Sequence, residues 1–496
     1  MTFFKRFIIY SALLSISGCS PVGHAIPIDV PVDALGKAIQ GANDVPIFQN
    51  PEHELIPEEW WLLFNDSQLD EIIQASFSKN PTLQIARMKI LSAHYTADSV
   101  RASFFPYLGF GADVARQKLS ETGVIPFASG PAYSGTPVIS VPTTPGSATR
   151  IPKYFTLYET ELNLRYNFDF WDKNRNTFRA ALGIVQANIA EEAFARLQLS
   201  ISIAEVYYEL QMNYKRQEIA KSLVENRSSY FDLVQKRVKA NLDNEISLQF
   251  IQSSLSDAQD SLLQIQGRIA LNEHQLMAYM AGNFDETIQE ITQQPLPKIP
   301  LPQDLPLHLI SKRPDITAQL WLIESAGRQI EVAKAGFYPD FNLTAFFGFQ
   351  TIHFAELFKW PSTFFNVNPA VSLPIFDGGR LNANLHASEM NYALAILDYN
   401  NLIINTTKEV LDAISIVRNT HQRLSEYEHK FAYQSELYRL TNLRISHSLD
   451  SSLNGLVSEE HMLVSQDQEV IALERTIQAI LRLIKSIGGG YESCEV

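Results

Sequence analysis

Cysteine is scarce in this sequence: among its 496 residues there are two, Cys19 and Cys494. A small fold held together by a network of disulfides is therefore excluded. No stretch reaches eighteen consecutive apolar residues, the length that a candidate membrane-spanning helix needs. The formal net charge of −14 leaves no excess of Lys and Arg from which a nucleic-acid-binding surface could be built. Nucleic acid is therefore not an expected partner.

Proline is missing from two long parts of the chain, between Pro152 and Pro295 and after Pro374. Proline ends or kinks a helix, so its absence permits helices of unusual length. The second part predicts one helix from Asp377 to Tyr438, about 90 Å long at roughly 1.5 Å per residue. An apolar period of seven residues, which favours supercoiled packing against neighbouring helices, runs through it. The residues of this period are Ile396, Ile403, Val410, Val417, Leu424, Phe431 and Tyr438.

The N-terminus has the two parts of a secretory signal, because Lys5 and Arg6 precede an apolar run over residues 7–14. That run is too short to remain as a membrane span. It is followed by Ile16-Ser17-Gly18-Cys19, which resembles the lipobox of bacterial lipoproteins. The alternative is an ordinary signal peptide with an incidental cysteine.

The lipobox reading predicts a lipoprotein signal peptide over 1–18, lipidation of Cys19, for example by palmitate, and a lipidated tether over 19–57. The resemblance implies sorting to the outer membrane, because Ser20 rather than Asp follows the cysteine. If Cys19 is acylated, Cys494 has no partner within the chain, and we expect no structural disulfide.

The body of the chain contains an internal repeat. In the segment from Pro81 to Pro106 a predicted helix runs to Ser103 and ends in an aromatic-Pro step, and the segment from Pro314 to Pro339 does the same. Each is followed by a predicted β-hairpin and then by long helices. The predicted boundaries are 58–294 for the first repeat (hairpin 107–169, long helices 173–282), 295–306 for a Pro-rich linker, 307–491 for the second repeat (hairpin 340–376, long helices 378–487) and 492–496 for a tail.

Both hairpins end in similar sequences, Phe170-Trp171-Asp172 and Ile375-Phe376-Asp377. We expect the aspartate of each to cap the long helix that follows, because a side-chain oxygen at this position accepts bonds from free backbone N–H groups. Each long helix is predicted to end at a matching turn, Arg237 to Asp243 in the first repeat and Arg444 to Asp450 in the second. A second helix returns from each turn.

The strands of the hairpins are predicted from strict alternation. From Tyr158 to Asp169 the even positions are mostly apolar and the odd positions polar, and the second hairpin shows the same period up to Ile375. We expect the aliphatic and aromatic face to meet lipid and the polar face to line water. The predicted lumen residues are Glu159, Glu161, Asn163, Asn342, Asn366 and Asn368.

Four strands cannot close a barrel, and lipid does not tolerate an open sheet edge, so several chains must share one barrel. Two chains give eight strands, whose interior side chains fill, and three give twelve, which leaves a lumen. If the protein is a duct, a trimer is the smallest solution. The predicted fold class is an α+β membrane protein, in which a trimeric twelve-stranded outer-membrane β-barrel is continued by a long α-helical coiled-coil barrel.

Three further motifs follow in one order: Lys312-Arg313-Pro314-Asp315-Ile316, the stretch Leu373 to Arg380, and Gly488-Gly489-Gly490. With the two aromatic-Pro steps, they resemble the outer-membrane efflux proteins of the TolC type. The lipobox and the Trp60-Trp61 pair are similar to the OprM-like and NodT-like lipoproteins of tripartite pumps. The resemblance implies a homotrimer in the outer membrane of a bacterium, with its helical barrel in the periplasm. It also implies two partners, a periplasmic adaptor protein and an inner-membrane transporter.

The resemblance further implies a gate at the periplasmic end, near the second helix turn. The narrowing leucine of the family corresponds to Leu453, whereas the acidic residue expected one turn later is replaced by Val457. Leu453 and Val457 are therefore expected either to form an apolar seal or to leave the closure to Asp450 and Glu459.

Two arginines at the turns belong to this predicted gate. Arg237 and Arg444 are expected either to bond neighbouring carboxylates, which would hold the mouth closed, or to cap the C-termini of their helices through the helix dipole.

The predicted function is that of a passive exit duct from the periplasm to the exterior for small amphipathic compounds or drugs. An alternative with the same architecture is the outer-membrane duct of a type I protein secretion system. An alternative of another class is a lipid-anchored coiled-coil scaffold without a pore. We expect no enzyme and no cofactor, because neither a Ser-His-Asp arrangement nor a P-loop occurs. A metal site is not expected either, because no pair of histidines follows the i, i+4 helical spacing.

Overall fold

A computed structural model describes residues 48–49, 56–118, 154–282, 296–297, 299–300 and 313–491. The predicted signal peptide, Cys19, most of the tether, most of the Pro-rich linker and the tail with Cys494 lie outside these residues. In the part of the chain that is described, no helix is both long enough and apolar enough to span a membrane.

The described residues form seven α-helices and six β-strands. The helices are α1 (Ser67–Lys79), α2 (Pro81–Arg101), α3 (Lys173–Lys239), α4 (Glu245–Tyr279), α5 (Pro314–Ala335), α6 (Arg380–Ser446) and α7 (Ser452–Ser486). The strands are β1 (Phe48–Gln49), β2 (Tyr107–Lys118), β3 (Tyr154–Phe168), β4 (Ile299–Pro300), β5 (Asp340–Thr351) and β6 (Thr363–Ser372). The very long helix predicted from the proline-free stretch is confirmed as α6, which extends beyond Tyr438 to Ser446.

The long helices occur in two pairs of equal length. Helices α3 and α6 both contain 67 residues, and α4 and α7 both contain 35. Each shorter helix starts from a polar cap: Asn244 accepts a bond from Ser247 N at 2.9 Å, and Ser451 accepts one from Asn454 N at 3.3 Å. These caps satisfy backbone N–H groups that have no partner within the helix.

The predicted cap of the first long helix is wrong by three residues. The carboxylate of Asp169, not that of Asp172, accepts the N–H groups of Asn174 and Arg175, both at 3.0 Å. Asp172 instead has a left-handed backbone (φ 54°) and pairs with Arg175 at 3.0 Å. The left-handed residue turns the chain so that the earlier aspartate reaches the helix end.

The predicted cap of the second long helix is confirmed. The carboxylate of Asp377 accepts the N–H groups of Gly379 at 3.0 Å and of Leu381 at 2.9 Å. Gly378 and Gly379 both have positive φ, which suits glycine because it has no side chain to clash. The two long helices thus begin with different local sequences.

The hairpin strands form one antiparallel sheet in the order β2–β3–β5–β6. Strand β3 pairs with β5 in a register that places Glu161 opposite Gly348. Strand β6 ends at Ser372, so the predicted strand to Ile375 is too long in the isolated chain. The reason is that Ser372 pairs with Asp340, the first residue of β5, and later residues meet no partner there. The short strands β1 and β4 form a separate parallel pair.

The chain divides into two compact units. Among the described residues, the helical unit comprises those up to His94, those between Leu182 and Ala326 and those from Met390 onward, and the sheet unit comprises those between Tyr95 and Ala181 and between Gly327 and Glu389. The core of the helical unit contains the fully buried Trp60, whose Nε1 donates to Ser200 Oγ at 3.1 Å. Ile403, Val410, Val417 and Leu424 of the seven-residue period are buried in this core. The central part of the period therefore packs within the chain itself.

The triple glycine closes the end of α7 against the rest of the helical unit. Gly488, Gly489 and Gly490 all have positive φ, and a Cβ on Gly490 would overlap the carbonyl oxygen of Ile56. Arg313, whose exposed fraction is 4%, donates from Nη1 to Ser486 O at 2.7 Å. A Cβ on Gly488 would lie 2.9 Å from Arg313 Cγ, so the Arg-Pro-Asp and triple-glycine motifs are in contact.

Candidate functional site: the polar sheet face and the helix turns

The six predicted lumen residues lie on one face of the sheet. In antiparallel strands, directly opposed residues point to the same side, and every second residue follows them. The register opposes Glu159 to Gln350 and Asn342 to Ala370. It follows that this polar face carries Asp113 of β2, Glu159, Glu161, Asn163, Arg165 and Asn167 of β3, Asn342, Thr344 and Gln350 of β5, and Asn366 and Asn368 of β6.

Side chains on this face contact each other. Gln350 Nε2 donates to Glu159 Oε2 at 3.0 Å. Asp113 lies opposite Glu159 and Tyr107 opposite Arg165, so acidic groups and a cation share the face. Asp113, Arg165 and Gln350 were not among the predicted lumen residues, although the same alternation that identified Glu159 also covers them.

The other face of the sheet is apolar. It carries Leu108, Phe110, Val114, Leu162, Phe347, Phe365, Val367 and Val371, all of them exposed. A soluble monomer rarely exposes so continuous an apolar surface, which marks a surface that meets lipid or another protein. The sheet therefore has the two unlike faces that the wall of a membrane barrel needs.

The two predicted turns have the same backbone geometry. Asn241 and Ser448 have left-handed backbones, with φ of 57° and 56°. The N–H of Leu242 donates to Arg237 O, and the N–H of Leu449 donates to Arg444 O, both at 2.8 Å. These bonds close the helix ends as in a Schellman motif. Serine therefore takes the left-handed position in the second turn, where asparagine takes it in the first.

The two arginines bind within their own turns. Arg237 Nε lies 3.4 Å from Asp243 Oδ2, and Arg444 Nε lies 3.2 Å from Asp450 Oδ2. Each arginine also donates from Nη2 to the carbonyl of the leucine that follows the left-handed residue. Each arginine thus contacts both a carboxylate and a backbone carbonyl near the C-terminus of its helix.

The aspartates of the turns are held in their charged forms. The N–H of Asn244 and the Ser247 side chain hold the pKa of Asp243 below its usual value. Hydrogen bonds from the Asn454 side chain and from the N–H of Ser451 lower the pKa of Asp450 in the same way. Bonds to a carboxylate favour its charged form, so each aspartate remains available to its arginine at neutral pH.

Leu453 and Val457 both lie in the first turns of α7, one helical turn apart, and both are partly exposed. Glu459 is engaged elsewhere, because Asn226 Nδ2 of α3 donates to Glu459 Oε2 at 2.8 Å and to Leu456 O at 3.0 Å. The structure thus ties this carboxylate to α3.

Arg227 joins three helices just behind this segment. Arg227 Nη2 of α3 lies 2.8 Å from Glu460 Oε1 of α7, and its Nη1 donates to Ser254 O of α4. Arg216 makes a second cross-link by contacting both carboxylate oxygens of Asp467, at 2.7 and 3.3 Å. Sequence reasoning missed these pairs, because the partners lie more than 200 residues apart and no local pattern connects them.

Among the described residues, no group of three or more His, Cys, Asp or Glu side chains is placed to hold a metal ion. The polar groups that converge at the turns are an arginine, an aspartate and backbone atoms. Such groups fix a turn and present charge at its surface.

The outer membrane efflux protein family matches residues 72–282 and 305–489 of the chain. The chain is 28% identical over 511 aligned positions to the multidrug resistance outer membrane protein MdtQ of Escherichia coli O157:H7, with 99% of each chain covered. It is 29% identical to the outer membrane protein VceC from Vibrio cholerae, with a TM-score of 0.72, over 88% of this chain and 100% of VceC. The Campylobacter jejuni CmeC outer membrane channel has the same fold, with a TM-score of 0.76 at 19% identity, over 90% of this chain and 91% of CmeC. The chain therefore belongs to the outer membrane efflux protein family, as its motifs predict.

Proposed function

We propose that this protein is the outer-membrane channel of a tripartite efflux system, a passive exit duct for small amphipathic compounds or drugs. The observation that carries the proposal is the four-stranded sheet, which has one polar and one apolar face and two edges, β2 and β6, that pair with no further strand of the sheet. Relatives named as multidrug resistance outer membrane proteins support drugs as the substrate class.

The sheet supports a homotrimer. Three copies with four strands each give twelve strands, which close a barrel with a lumen and leave no edge in lipid. Asp113, Glu159 and Glu161 on the polar face then give the lumen acidic groups, which disfavour anions and attract cations. In each copy, the equal lengths of the paired long helices support an internal repeat that builds the periplasmic helical barrel.

The gate is assigned to the second turn. Leu453 and Val457 are the apolar pair that three copies bring together around an axis, and the ion pair of Arg444 with Asp450 fixes the turn that carries them. Arg237 with Asp243 does the same for the first turn. In this arrangement apolar side chains form the seal, and the Arg–Asp ion pairs only fix the conformation of the turns.

The turns also provide a surface for the periplasmic adaptor. Leu242 and Leu449 occupy equivalent positions, and each is 68% exposed. A pair of exposed leucines on polar turns fits an apolar contact with a partner protein. The inner-membrane transporter supplies the energy, and lipidated Cys19 anchors each copy in the outer membrane.

The test compares a strain that lacks the gene with strains that carry wild-type or variant protein. Deletion is expected to raise susceptibility to dyes, detergents or antibiotics, and the wild-type gene restores resistance. In planar bilayers the purified trimer should conduct weakly and Val457→Asp should conduct more, because three carboxylates repel each other and admit water. Phe250→Asp, at the position of α4 that corresponds to Val457 in the first repeat and lies outside the assigned gate, is the control and should behave as wild type.

Unchanged susceptibility together with a lack of conductance would contradict the duct and favour the scaffold. Loss of an exported protein with unchanged susceptibility would instead identify a duct for protein secretion. If Val457→Asp and Phe250→Asp have equal conductance, the apolar gate is in the wrong place while the duct stands.

A further inference from the structure

We propose that β6 of one copy pairs with β2 of the next in one defined register, with Ala370 opposite Asp113 and Ile375 opposite Leu108. This inference rests on the proposed trimer and goes beyond it, because a trimer alone does not fix which residues meet. Each free edge of the sheet is occupied by another copy of this chain.

The two halves of the sheet, β2–β3 and β5–β6, correspond to each other. Strands β2 and β5 both contain 12 residues and begin immediately after the proline of an aromatic-Pro step. Each residue of β5 thus follows its β2 counterpart by 233 positions, from Tyr107 and Asp340 to Lys118 and Thr351. The two strands are equivalent residue by residue.

Strands β3 and β6 correspond to each other in the same way. Tyr107 pairs with Arg165, and its counterpart Asp340 pairs with Ser372. Ser372 is therefore the counterpart of Arg165, and it follows Arg165 by 207 positions. The long helices give the same spacing, because α6 begins 207 positions after α3 and ends 207 positions after it. Asp172 and Gly379, also 207 positions apart, both have positive φ.

The pairing of β3 with β5 is the template for the junction between copies. Strand β6 is the counterpart of β3, and β2 of the next copy is the counterpart of β5. Since Asn163 pairs with Phe346, Ala370 should pair with Asp113 of the next copy. Since Phe168 pairs with Phe341, Ile375 should pair with Leu108 of the next copy.

Exposure supports this junction. Ile375 and Phe376 are 95% and 91% exposed, although both side chains are apolar. In the proposed register they lie beside Leu108 and Tyr107 of the next copy, which are also exposed. The pairing would extend β6 by three residues to Ile375, the end that sequence alternation predicts. The unpaired apolar ends of both edges would thus cover each other.

Side-chain chemistry also supports the proposed junction between β6 and β2 of the next copy. Within the chain, Gln350 Nε2 donates to Glu159 Oε2 across β5 and β3. The counterparts of these residues at the junction are Gln117 and Asn366, two amides that can donate to and accept from each other. The face parity is also retained, so the lumen-side residues of β6 lie beside the lumen-side residues of β2 in the next copy.

The test is disulfide cross-linking in full-length protein that carries Cys494→Ser. The proposed pair is Asp113→Cys with Ala370→Cys. The matched controls keep Asp113→Cys and move the second cysteine two residues either way, as Asn368→Cys or Ser372→Cys. Within one chain, β2 and β6 are separated by two strands, about 14 Å from edge to edge, so a disulfide can only join two copies.

The expected result is a covalent trimer on non-reducing gels, formed at least about five times faster by the proposed pair than by either control, because directly opposed Cβ atoms lie about 5 Å apart and diagonal ones about 7–8 Å. Asn366→Cys with Gln117→Cys repeats the test at a second position, in case Asp113→Cys impairs assembly. Faster cross-linking of a shifted pair would overturn the register and leave the channel intact. Monomers without any cross-link would overturn both the register and the shared barrel.

Discussion

Arg444 and Asp450 form an ion pair across the turn between α6 and α7, with Arg444 Nε 3.2 Å from Asp450 Oδ2. The aspartate also accepts bonds from Asn454 Nδ2 at 2.7 Å and from the N–H of Ser451 at 2.9 Å. A single carboxylate thus links the end of one helix to the start of the next. These bonds favour the charged form of the carboxylate, and they lower its pKa.

The first prediction concerns the pH dependence of this turn. The pKa of Asp450 is lowered in the folded state. The contribution of its charged carboxylate to the stability of the turn is therefore complete at neutral pH and is lost only as pH falls through that lowered pKa. We expect bilayer conductance to be unaffected by this group above about pH 5 and to change below about pH 4. Asp450→Asn should remove this acid transition. A transition that persists unchanged in Asp450→Asn would assign it to another group.

The second prediction concerns Arg227, which binds Glu460 of α7 and Ser254 of α4. Arg227→Ala leaves a partly buried carboxylate without its partner and removes two charge-assisted bonds. We expect it to destabilise the helical unit by about 2 kcal/mol and to lower the Tm of the helical signal by several degrees. Thermal melting in detergent, followed by circular dichroism, measures this change.

The control for Arg227 is another arginine–glutamate pair in the same unit. Arg439 contacts both carboxylate oxygens of Glu436 at 2.8 Å, but both side chains are exposed on α6. Arg439→Ala should leave the Tm unchanged, because exposed pairs are screened by water and salt. Equal effects of the two substitutions would show that burial and the link between helices do not matter.

Much of the fold could be predicted because its signals are local. Absence of proline and the period of seven identify the long helices, and alternation identifies the strands and separates their two faces. Local patterns do not predict features that depend on the three-dimensional path of the chain. The cap at Asp169 depends on the left-handed turn at Asp172, and the end of β6 depends on where β5 begins.

For the same reason, the sequence predicts some residues and contacts of the candidate site and misses others. The six predicted lumen residues share one face because alternation determines which side of a strand a residue takes. The partners of Glu459 and Glu460 could not be predicted, since Asn226 and Arg227 come from a helix more than 200 residues earlier. No sequence period or motif predicts long-range contacts of this kind.

The third prediction concerns Glu474 of α7. Burial, together with the nearby charge of Glu209, raises the pKa of Glu474, so its charged form is disfavoured in the folded state. A raised folded pKa means that the native state binds protons more strongly, and stability increases as pH falls towards the unfolded value near about 4.3. At neutral pH the charge therefore costs stability.

Glu474→Gln removes this cost and keeps the oxygen that accepts a bond from Gln478 Nε2. We expect the Tm to rise by about one to three degrees at pH 7 and the gain to shrink as pH approaches about 4.3. Glu436→Gln is the exposed control: Arg439 lowers the pKa of Glu436, but water and salt screen this pair, so removal of the charge should leave the Tm unchanged at both pH values. A gain that is the same at both pH values would mean that deprotonation of Glu474 is not its cause.

The fourth prediction concerns the triple glycine. Gly490 has a φ of 77°, and a Cβ there would overlap the carbonyl oxygen of Ile56 and the backbone of Pro57. Gly490→Ala must therefore adopt a strained backbone and also displace the segment before Trp60. We expect a loss of more than about 2 kcal/mol, seen as a lower Tm and a smaller yield of trimer.

Gly267→Ala is the matched control. Gly267 lies inside α4, and a Cβ there would meet no atom within 4 Å. Alanine favours the helix over glycine by up to about 1 kcal/mol, so this substitution should leave the Tm unchanged or raise it. If Gly490→Ala lowers the Tm and Gly267→Ala does not, the loss comes from the left-handed, closely packed backbone at Gly490. It does not come from a general sensitivity to added side chains. A normal Tm and trimer yield for Gly490→Ala would contradict the close approach of the chain end to Ile56.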